Sequence, residues 1–277
     1  MTKLQRFLLV GLLSVISSTS CQASSSDIQS VEISLPRYHF DYKEDVTPPL
    51  KSTEKGWLNG FRLSFKDQDR TTGDFWRLRY ETTNHATHYD GSTVQINGSN
   101  LLVSPAQGTT YNRMTTSELI FGNPMEGSVN EYAYIGIGYR TWDRKLDYQE
   151  RYSWKYVPVG YRKEYKIDDK WSGAFDLAVN FTFGGKMTAQ FSDLDPSLNN
   201  PEVNLDNKIG FRLELPYAYK FNSQWSLLLS PWCEYSRIGQ SNTVPLTSGG
   251  APTGWGVSEP SSRTIQYGAH VGLTFTF

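Results

Sequence analysis

Cysteine is nearly missing from this sequence, which has Cys21 and Cys233 and no other in 277 residues. Cys21 lies in an N-terminal segment that we expect to be removed, and its removal leaves Cys233 alone. A single cysteine forms no disulfide framework and cannot supply the thiol cluster of a structural zinc site. Both means of stabilising the chain are therefore excluded, and Cys233 is most simply an apolar residue on a strand.

Long apolar runs and an excess of either charge are also missing. The mean hydropathy is −0.50, and after the N-terminal segment no apolar stretch approaches the roughly 20 residues of a membrane-spanning helix. Transmembrane helices are therefore not expected. The 27 basic and 28 acidic side chains give a net charge of −1, so the charge does not suggest nucleic acid as a partner.

Aromatic residues, by contrast, are plentiful: they make up 14% of the chain, with 17 tyrosines and 8 tryptophans. Barrels that span an outer membrane carry girdles of aromatic side chains at both membrane interfaces. Trp171 and Trp225 each begin a predicted strand directly after a short turn. We therefore expect both tryptophans at the periplasmic interface.

The C-terminal segment 265–277 has the clearest pattern in the chain. Apolar residues alternate strictly with small or polar ones, which is typical of a strand with one apolar and one polar face. A closed membrane barrel needs such a strand, whereas a soluble protein rarely leaves it as a free edge. The ending resembles the C-terminal assembly signal of bacterial outer-membrane barrels, and this resemblance implies the barrel-assembly machinery and outer-membrane lipids as partners. The residues that carry it are Tyr267, Val271, Leu273, Phe275 and Phe277.

The N-terminal segment 1–23 has the pattern of a secretory signal peptide. Lys3 and Arg6 precede an apolar stretch, 7–16, that is too short to span a bilayer, and 21–23 is a plausible cleavage site. The alternative is a lipoprotein with the lipid on Cys21, although the usual aliphatic residue three positions earlier is missing. Residues 24–277 then form a single barrel domain.

Segments of period two recur along the rest of the chain and predict ten strands. Short turns follow the even-numbered strands, while 87–109, 184–206 and 239–261 are long connections. We therefore predict an all-β fold, a closed antiparallel transmembrane β-barrel in the bacterial outer membrane, with short periplasmic turns, longer extracellular loops and periplasmic termini. The strands lie near 31–42, 56–66, 74–86, 110–121, 131–142, 150–165, 171–183, 207–219, 225–238 and 262–277.

The alternation also predicts which charged side chains point into the barrel. They are Arg62, Arg77, Arg79, Glu81, Arg140, Asp176, Arg212, Glu214 and Glu234. Ten strands enclose a lumen little wider than the eight-stranded size that side chains fill. Opposite charges should pair there, because an isolated buried charge is costly. Two interpretations stay open, a plugged polar core and a narrow pore whose arginines set selectivity.

No enzyme motif accompanies this architecture. The strand count resembles that of omptins, the outer-membrane proteases, but their Asp–His pair is D-x-H, which does not occur here. Outer-membrane lipases need a serine beside a histidine; H-x-S does not occur, and His270 is better explained as a lumen residue. The acidic loop 184–206 is more simply solvated than a Ca²⁺ site. We expect no catalytic residue, cofactor or metal, and we expect Trp255 to fold towards the barrel mouth.

Five short stretches carry a family resemblance, namely 40–44, 51–61, 88–92, 136–142 and 259–268. Together they resemble poorly characterised outer-membrane barrel proteins of Gram-negative bacteria, including the group named after the Protochlamydia outer-membrane protein. The resemblance implies location and fold, suggests a porin-like role for some members, and brings no catalytic residues. We therefore expect a structural or surface-recognition barrel whose ligand is not indicated. The alternatives are a narrow porin-like diffusion channel for small solutes and an omptin-like surface protease.

Overall fold

The computed structural model describes residues 27–97 and 100–277, so the predicted signal peptide lies outside it. Within these ranges, no helix is long and apolar enough to cross a membrane. The described part of the chain contains a single 3-10 turn, η1 (Phe191–Asp193). The strands are β1 (Asp27–Glu44), β2 (Ser52–Asp69), β3 (Phe75–Asn97), β4 (Asn100–Pro124), β5 (Glu131–Lys145), β6 (Gln149–Lys166), β7 (Trp171–Gln190), β8 (Glu202–Leu205), β9 (Ile209–Glu214), β10 (Tyr217–Lys220), β11 (Trp225–Ile238), β12 (Val244–Ser248), β13 (Ala251–Val257) and β14 (Ser262–Thr276).

Twelve of these strands form one closed antiparallel barrel. β8, β9 and β10 are successive pieces of a single wall segment, because all three pair with β7 and both β9 and β10 also pair with β11. β14 closes the barrel by pairing with β11 on one side and with β1 on the other. The wall therefore has the ten antiparallel strands that the sequence predicted.

The two ends of the barrel differ. At one end, which we call the turn end, short turns at 70–74, 125–130, 167–170 and 221–224 join neighbouring strands. The described N-terminus and the C-terminus lie at this end, where the Phe277 amide donates to the Gln29 carbonyl at 3.0 Å. The opposite end, the loop end, carries the longer connections 191–201 and 239–261.

Alternation along the strands separates an apolar exterior from a polar interior. On β1, Ile33 and Leu35 are half exposed on the outside, whereas Ser34 between them is buried in the lumen. The same parity continues across β14, where Leu273 and Val271 face outward beside Ile33 and Leu35. A continuous apolar band thus surrounds the barrel next to the turn end, as a membrane-spanning wall requires.

The sequence prediction of a long loop at 87–109 is wrong. β3 and β4 instead continue as one paired hairpin from Phe75–Gly122 to Asn97–Asn100. Polar residues such as His88 and Asp90 occupy the outward positions at this level. The β3–β4 hydrogen-bond ladder continues beyond the apolar band, where no lipid is expected to contact the outward side chains. The apolar alternation therefore ends before the strands do, and the sequence pattern missed their outer half.

The loop 239–261 also departs from its prediction. It contains the β12–β13 hairpin, whose turn Gly249 and Gly250 take φ values of +56° and +82° that favour glycine. Trp255 on β13 is 52% exposed, so the prediction that it folds towards the mouth is wrong. The exposed ring and the ordered hairpin form a surface that projects from the loop end.

Candidate functional site

Charged side chains from several walls meet in the middle of the lumen. Arg62 on β2 lies 2.7 Å from Glu81 and 3.4 Å from Glu214. Arg79 on β3 lies 2.8 Å from Glu214 and 3.4 Å from Glu118. The Arg62–Glu81 and Arg79–Glu118 pairs join neighbouring strands, whereas both pairs to Glu214 on β9 cross the barrel interior. We call these residues the central ion-pair layer.

Arg212 on β9 completes this layer, because it lies 2.8 Å from Glu118 and 3.8 Å from Glu214. All three arginines are buried, as are Glu118 and Glu214. The predicted set did not include Glu118, because the alternation along 110–121 is weak and its inward parity is clear only once β4 is paired with β3.

The other predicted charges also lie in the lumen, in two further groups. Arg140 forms a two-pronged ion pair with Glu234. Asp176 accepts from Arg162 at 3.2 Å and lies 3.7 Å from Arg77. The structure therefore places all nine predicted charged residues inside the barrel, each near an opposite charge, and adds Arg162 to them.

Two glycines position tyrosines that support these acids. Gly138 faces Tyr156 across the β5–β6 ladder, and a Cβ at this glycine would lie 2.1 Å from the tyrosine ring. The ring therefore lies flat against the wall, and its hydroxyl donates to Glu118 at 3.0 Å. Gly160 likewise leaves space for the ring of Tyr134, whose hydroxyl donates to Asp176.

A layer of aromatic side chains fills the lumen above the central ion-pair layer, towards the loop end. Trp142 is almost fully buried and stacks on Tyr152, with ring centroids 4.8 Å apart. Tyr42 and Phe40 contact the same indole at 5.1 Å and 5.7 Å. The indole N–H donates to Asn112 at 2.6 Å, so the ring is fixed by packing and by a hydrogen bond.

Four glutamates and one arginine form a cluster at the mouth, above this aromatic layer. The Arg144 guanidinium lies 2.9 Å from Glu54, 2.7 Å from Glu150 and 3.8 Å from Glu44. The fourth, Glu259, belongs to the loop 239–261, and no arginine among the described residues lies within ion-pair distance of it. Its carboxyl instead accepts hydrogen bonds from the hydroxyl groups of Tyr152 at 2.8 Å and Tyr42 at 3.5 Å.

Burial in this cluster, together with the nearby charges of Glu150 and Glu44, raises the pKa of Glu259 well above its usual range. A folded-state pKa above the unfolded value means that the docked loop holds the proton more tightly than the undocked loop. Docking is therefore strongest below the ordinary carboxyl pKa and weakens as pH rises towards the raised value. We therefore expect the docking of loop 239–261 to depend on pH.

We expect Glu259→Gln to abolish this coupling, because the amide stays neutral and its oxygen still accepts from the tyrosines. Hydrogen-exchange protection of loop 239–261 should fall as pH rises above the ordinary carboxyl pKa in the native chain and stay constant in the variant. Glu126→Gln, an exposed glutamate at the turn end, serves as the matched control and should behave like the native chain. Protection that rises with pH, or that falls equally in Glu259→Gln, would contradict the prediction.

A cavity of about 650 Å³ occupies the lumen on the other side of the central ion-pair layer, towards the turn end. Lys66, Arg77 and Arg162 line its wall, and Arg79 and Glu214 form its inner limit. The spaces found beyond that limit are small, about 30 Å³ within the layer and about 10 Å³ near Gly239. A water molecule has a share of ~30 Å³ in the liquid, so the space found within the layer is about the size of a single water.

His270 is fully buried in the lumen, where its ring stacks on Trp232 and its Nε2 atom lies 3.4 Å from Glu81. The β11–β14 register places Ser230 directly opposite it, which the search for H-x-S along one strand overlooked. The Ser230 hydroxyl makes no hydrogen bond in the structure. A nucleophilic serine needs a hydrogen-bonded base, and this arrangement does not provide one.

Two acidic residues of the connection 191–201 accept hydrogen bonds from backbone amides. Asp193 accepts from the Gln149 amide at 3.1 Å, and Asp195 accepts from the Ser197 amide at 2.8 Å. Across residues 27–97 and 100–277, no group of three or more His, Cys, Asp or Glu side chains is arranged to hold a metal ion.

The residues of the predicted assembly signal lie on the outside of β14 and at its end. Tyr267, Val271, Leu273 and Phe277 are 44–51% exposed. Phe275 packs against Trp225 of β11, with ring centroids 4.9 Å apart. The final strand thus presents an apolar stripe towards the membrane side of the wall.

No family model matches this chain, and no curated protein is significantly similar to it in sequence. The fold is similar to that of the outer-membrane protease OmpT from Escherichia coli, with a TM-score of 0.59 and 11% identity over 94% of this chain and 100% of that one. The outer-membrane protein OprG from Pseudomonas aeruginosa gives a TM-score of 0.36 at 11% identity, covering 92% of this chain and 98% of that one. Ail from Yersinia pestis gives 0.34 at 11% identity, covering 90% and 99%. At such identities the likeness concerns the fold, which is that of an outer-membrane β-barrel.

Proposed function

We propose that this protein is a closed outer-membrane barrel with a structural or recognition role at the cell surface, without catalysis and without solute conduction. The observation that carries the proposal is the filling of the lumen by two successive layers. Ion pairs that join β2 and β3 to β9, and β9 to β4, cross it, and the aromatic layer around Trp142 lies above them.

The energetics of buried ion pairs favour a closed state over an open one. Removing one partner of a buried pair costs about 3–5 kcal/mol, because a charge is left uncompensated in a medium of low dielectric constant. A pore through the central ion-pair layer requires several such pairs, among them Arg79–Glu214 and Arg212–Glu118, to separate together. Thermal opening of this layer is therefore expected to be rare.

The proposed membrane placement follows from the exterior. The apolar band lies next to the turn end, so the loop end of the barrel projects beyond the membrane with the β3–β4 hairpin and the β12–β13 hairpin. Short turns face the periplasm and long loops face outward in outer-membrane barrels. The exposed Trp255 on β13 gives the outer surface an aromatic contact of the kind that is enriched in protein interfaces.

Single-channel recording tests the closed lumen. Refolded protein inserted into planar bilayers is expected to give no resolvable conductance steps, while a general porin inserted under the same conditions gives large ones. Insertion is checked independently by protease protection of the bilayer-inserted barrel. Regular steps from correctly inserted protein would contradict the proposal and favour the narrow diffusion channel.

The membrane orientation is tested with two matched cysteines in a Cys233→Ser background. Ala251→Cys at the tip of the β12–β13 hairpin is expected to react with a membrane-impermeant maleimide on intact cells. Asp169→Cys, which replaces a side chain 97% exposed in a turn at the other end, should react only after the outer membrane is permeabilised. The reverse pattern would place the termini outside the cell.

A further inference from the structure

Three basic residues stand side by side on the outside of the wall, at the loop-end edge of the apolar band. The strand register sets Arg237 of β11 directly opposite Arg263 of β14, and Arg263 directly opposite Lys43 of β1. Cβ atoms in such cross-strand pairs lie ~4.5–5.5 Å apart, and like charges there repel. We call Arg237, Arg263 and Lys43 the basic row.

The protein supplies little compensating charge to this row. Asp45 lies 3.4 Å from Arg237, while Asp41 pairs with Lys55 at 2.8 Å. Among the described residues, neither Arg263 nor Lys43 has an acidic group within ion-pair distance, and both are exposed. The row therefore keeps an unbalanced positive charge that an external anion would neutralise.

The surface beneath the row is apolar and aromatic. Ile265 and Tyr267 follow Arg263 on the outer face of β14 and are 46% and 49% exposed. His39 packs between Tyr267 and Trp57, which together form part of the aromatic girdle. The distance between Tyr267 and Arg263 is ~13 Å along the strand. It corresponds to ~10 Å along the barrel axis for the usual strand tilt. Long basic side chains lie along the apolar surface and point their charged ends towards a polar headgroup, which covers the rest of this distance.

We propose that the basic row binds the phosphate group of an anionic lipid in the leaflet at the loop end, with the lipid's acyl chains along Ile265 and Tyr267. Guanidinium groups match phosphate oxygens in two-pronged hydrogen bonds, and Arg237 and Arg263 supply two of them. The bound phosphate also removes the repulsion within the row. This inference rests on the proposed membrane placement, and it does not depend on the closed lumen.

A lipid fits these observations better than free phosphate does. The row is exposed, so an unanchored phosphate ion at physiological salt gains only a screened attraction. A lipid adds the burial of its chains on the apolar surface below and arrives with its phosphate already at headgroup level. Each basic residue near a lipid surface contributes a factor of roughly five in binding.

The test compares lipid retention by refolded full-length mature chain in native mass spectrometry. The probes are lipid A with its phosphates, the same lipid with the phosphates removed, and inorganic phosphate as competitor. We expect Lys43→Glu/Arg263→Glu to weaken binding of the phosphorylated lipid at least tenfold. The control Lys145→Glu/Lys155→Glu makes the same charge change at two exposed outward positions on the opposite wall and should change it less than twofold. Dephosphorylated lipid should bind native protein as weakly as phosphorylated lipid binds the row variant.

The proposed site would be wrong if Lys43→Glu/Arg263→Glu bound phosphorylated lipid as well as native protein does. It would also be wrong if the control Lys145→Glu/Lys155→Glu lost as much lipid binding. If millimolar inorganic phosphate displaced the lipid from the basic row, the ligand would be free phosphate and not a lipid. If the double glutamate variant does not fold, Lys43→Gln/Arg263→Gln replaces it. This neutral variant should be more stable than native protein in lipid-free detergent, because the repulsion is gone, and should lose that advantage when lipid A is added. The single-channel recordings stay silent in every case unless the closed-lumen proposal fails separately.

Discussion

Glu214→Ala is expected to lower the free energy of unfolding of the barrel by about 3 kcal/mol, towards the lower end of the range for breaking a buried ion pair. Glu214 accepts from Arg79 at 2.8 Å and lies 3.4 Å from Arg62 and 3.8 Å from Arg212. Without it, three buried arginines share Glu81 and Glu118, and one positive charge is uncompensated. The adjoining 650 Å³ cavity admits water to Arg62 and Arg79, which reduces the loss.

The measurement is the urea dependence of unfolding of refolded protein in micelles, followed by tryptophan fluorescence and by the gel mobility of the folded barrel. Glu202→Ala is the matched control, since Glu202 forms an ion pair with Lys186 at 2.6 Å and both side chains are about half exposed. Exposed pairs contribute ~0–1 kcal/mol. A loss for Glu214→Ala that is no larger than for Glu202→Ala would show that the central ion-pair layer does not stabilise the closed barrel.

The barrel itself was predictable because its wall obeys one simple rule. Wherever a strand crosses the apolar band, outward residues are apolar and inward residues are not, as in Ile33, Ser34 and Leu35. This rule predicted the number of strands and their antiparallel order. It failed where lipid no longer sets the outward residue, in the outer half of the β3–β4 hairpin, and where Pro216 interrupts the alternation between β9 and β10.

The site was less predictable, because parity shows that a side chain points inward without showing what it meets. Arg62 and Glu214 are 152 positions apart in sequence and touch across the lumen. That contact depends on the number of strands between them and on the stagger of each ladder. Ser230 and His270 likewise become neighbours only through the β11–β14 register. Glu259 was missed for another reason, since it lies in a connection without periodicity.

The second large effect is expected at Trp142, the centre of the aromatic layer. Its side chain is 1% exposed and contacts Tyr152, Tyr42 and Phe40. Trp142→Ala removes these contacts and leaves a cavity that a rigid barrel cannot collapse to fill. We expect it to lower the free energy of unfolding by about 3–5 kcal/mol. It also leaves Asn112 without the indole donor. Trp142→Phe keeps most of the packing and should cost about 1–3 kcal/mol, the range for a buried acceptor left unpaired.

Trp171→Ala is the matched control for the same unfolding measurement. Trp171 lies on the outside at the turn end, is 42% exposed and contacts Tyr219, with ring centroids 4.9 Å apart. Trp171→Ala should therefore lower the free energy of unfolding in micelles clearly less than Trp142→Ala does. Because the central ion-pair layer lies below the aromatic layer, Trp142→Ala is also expected to stay silent in planar bilayers. Conductance steps in this variant would mean that the aromatic layer alone closes the lumen, and that the ion pairs beneath it leave a path for solutes.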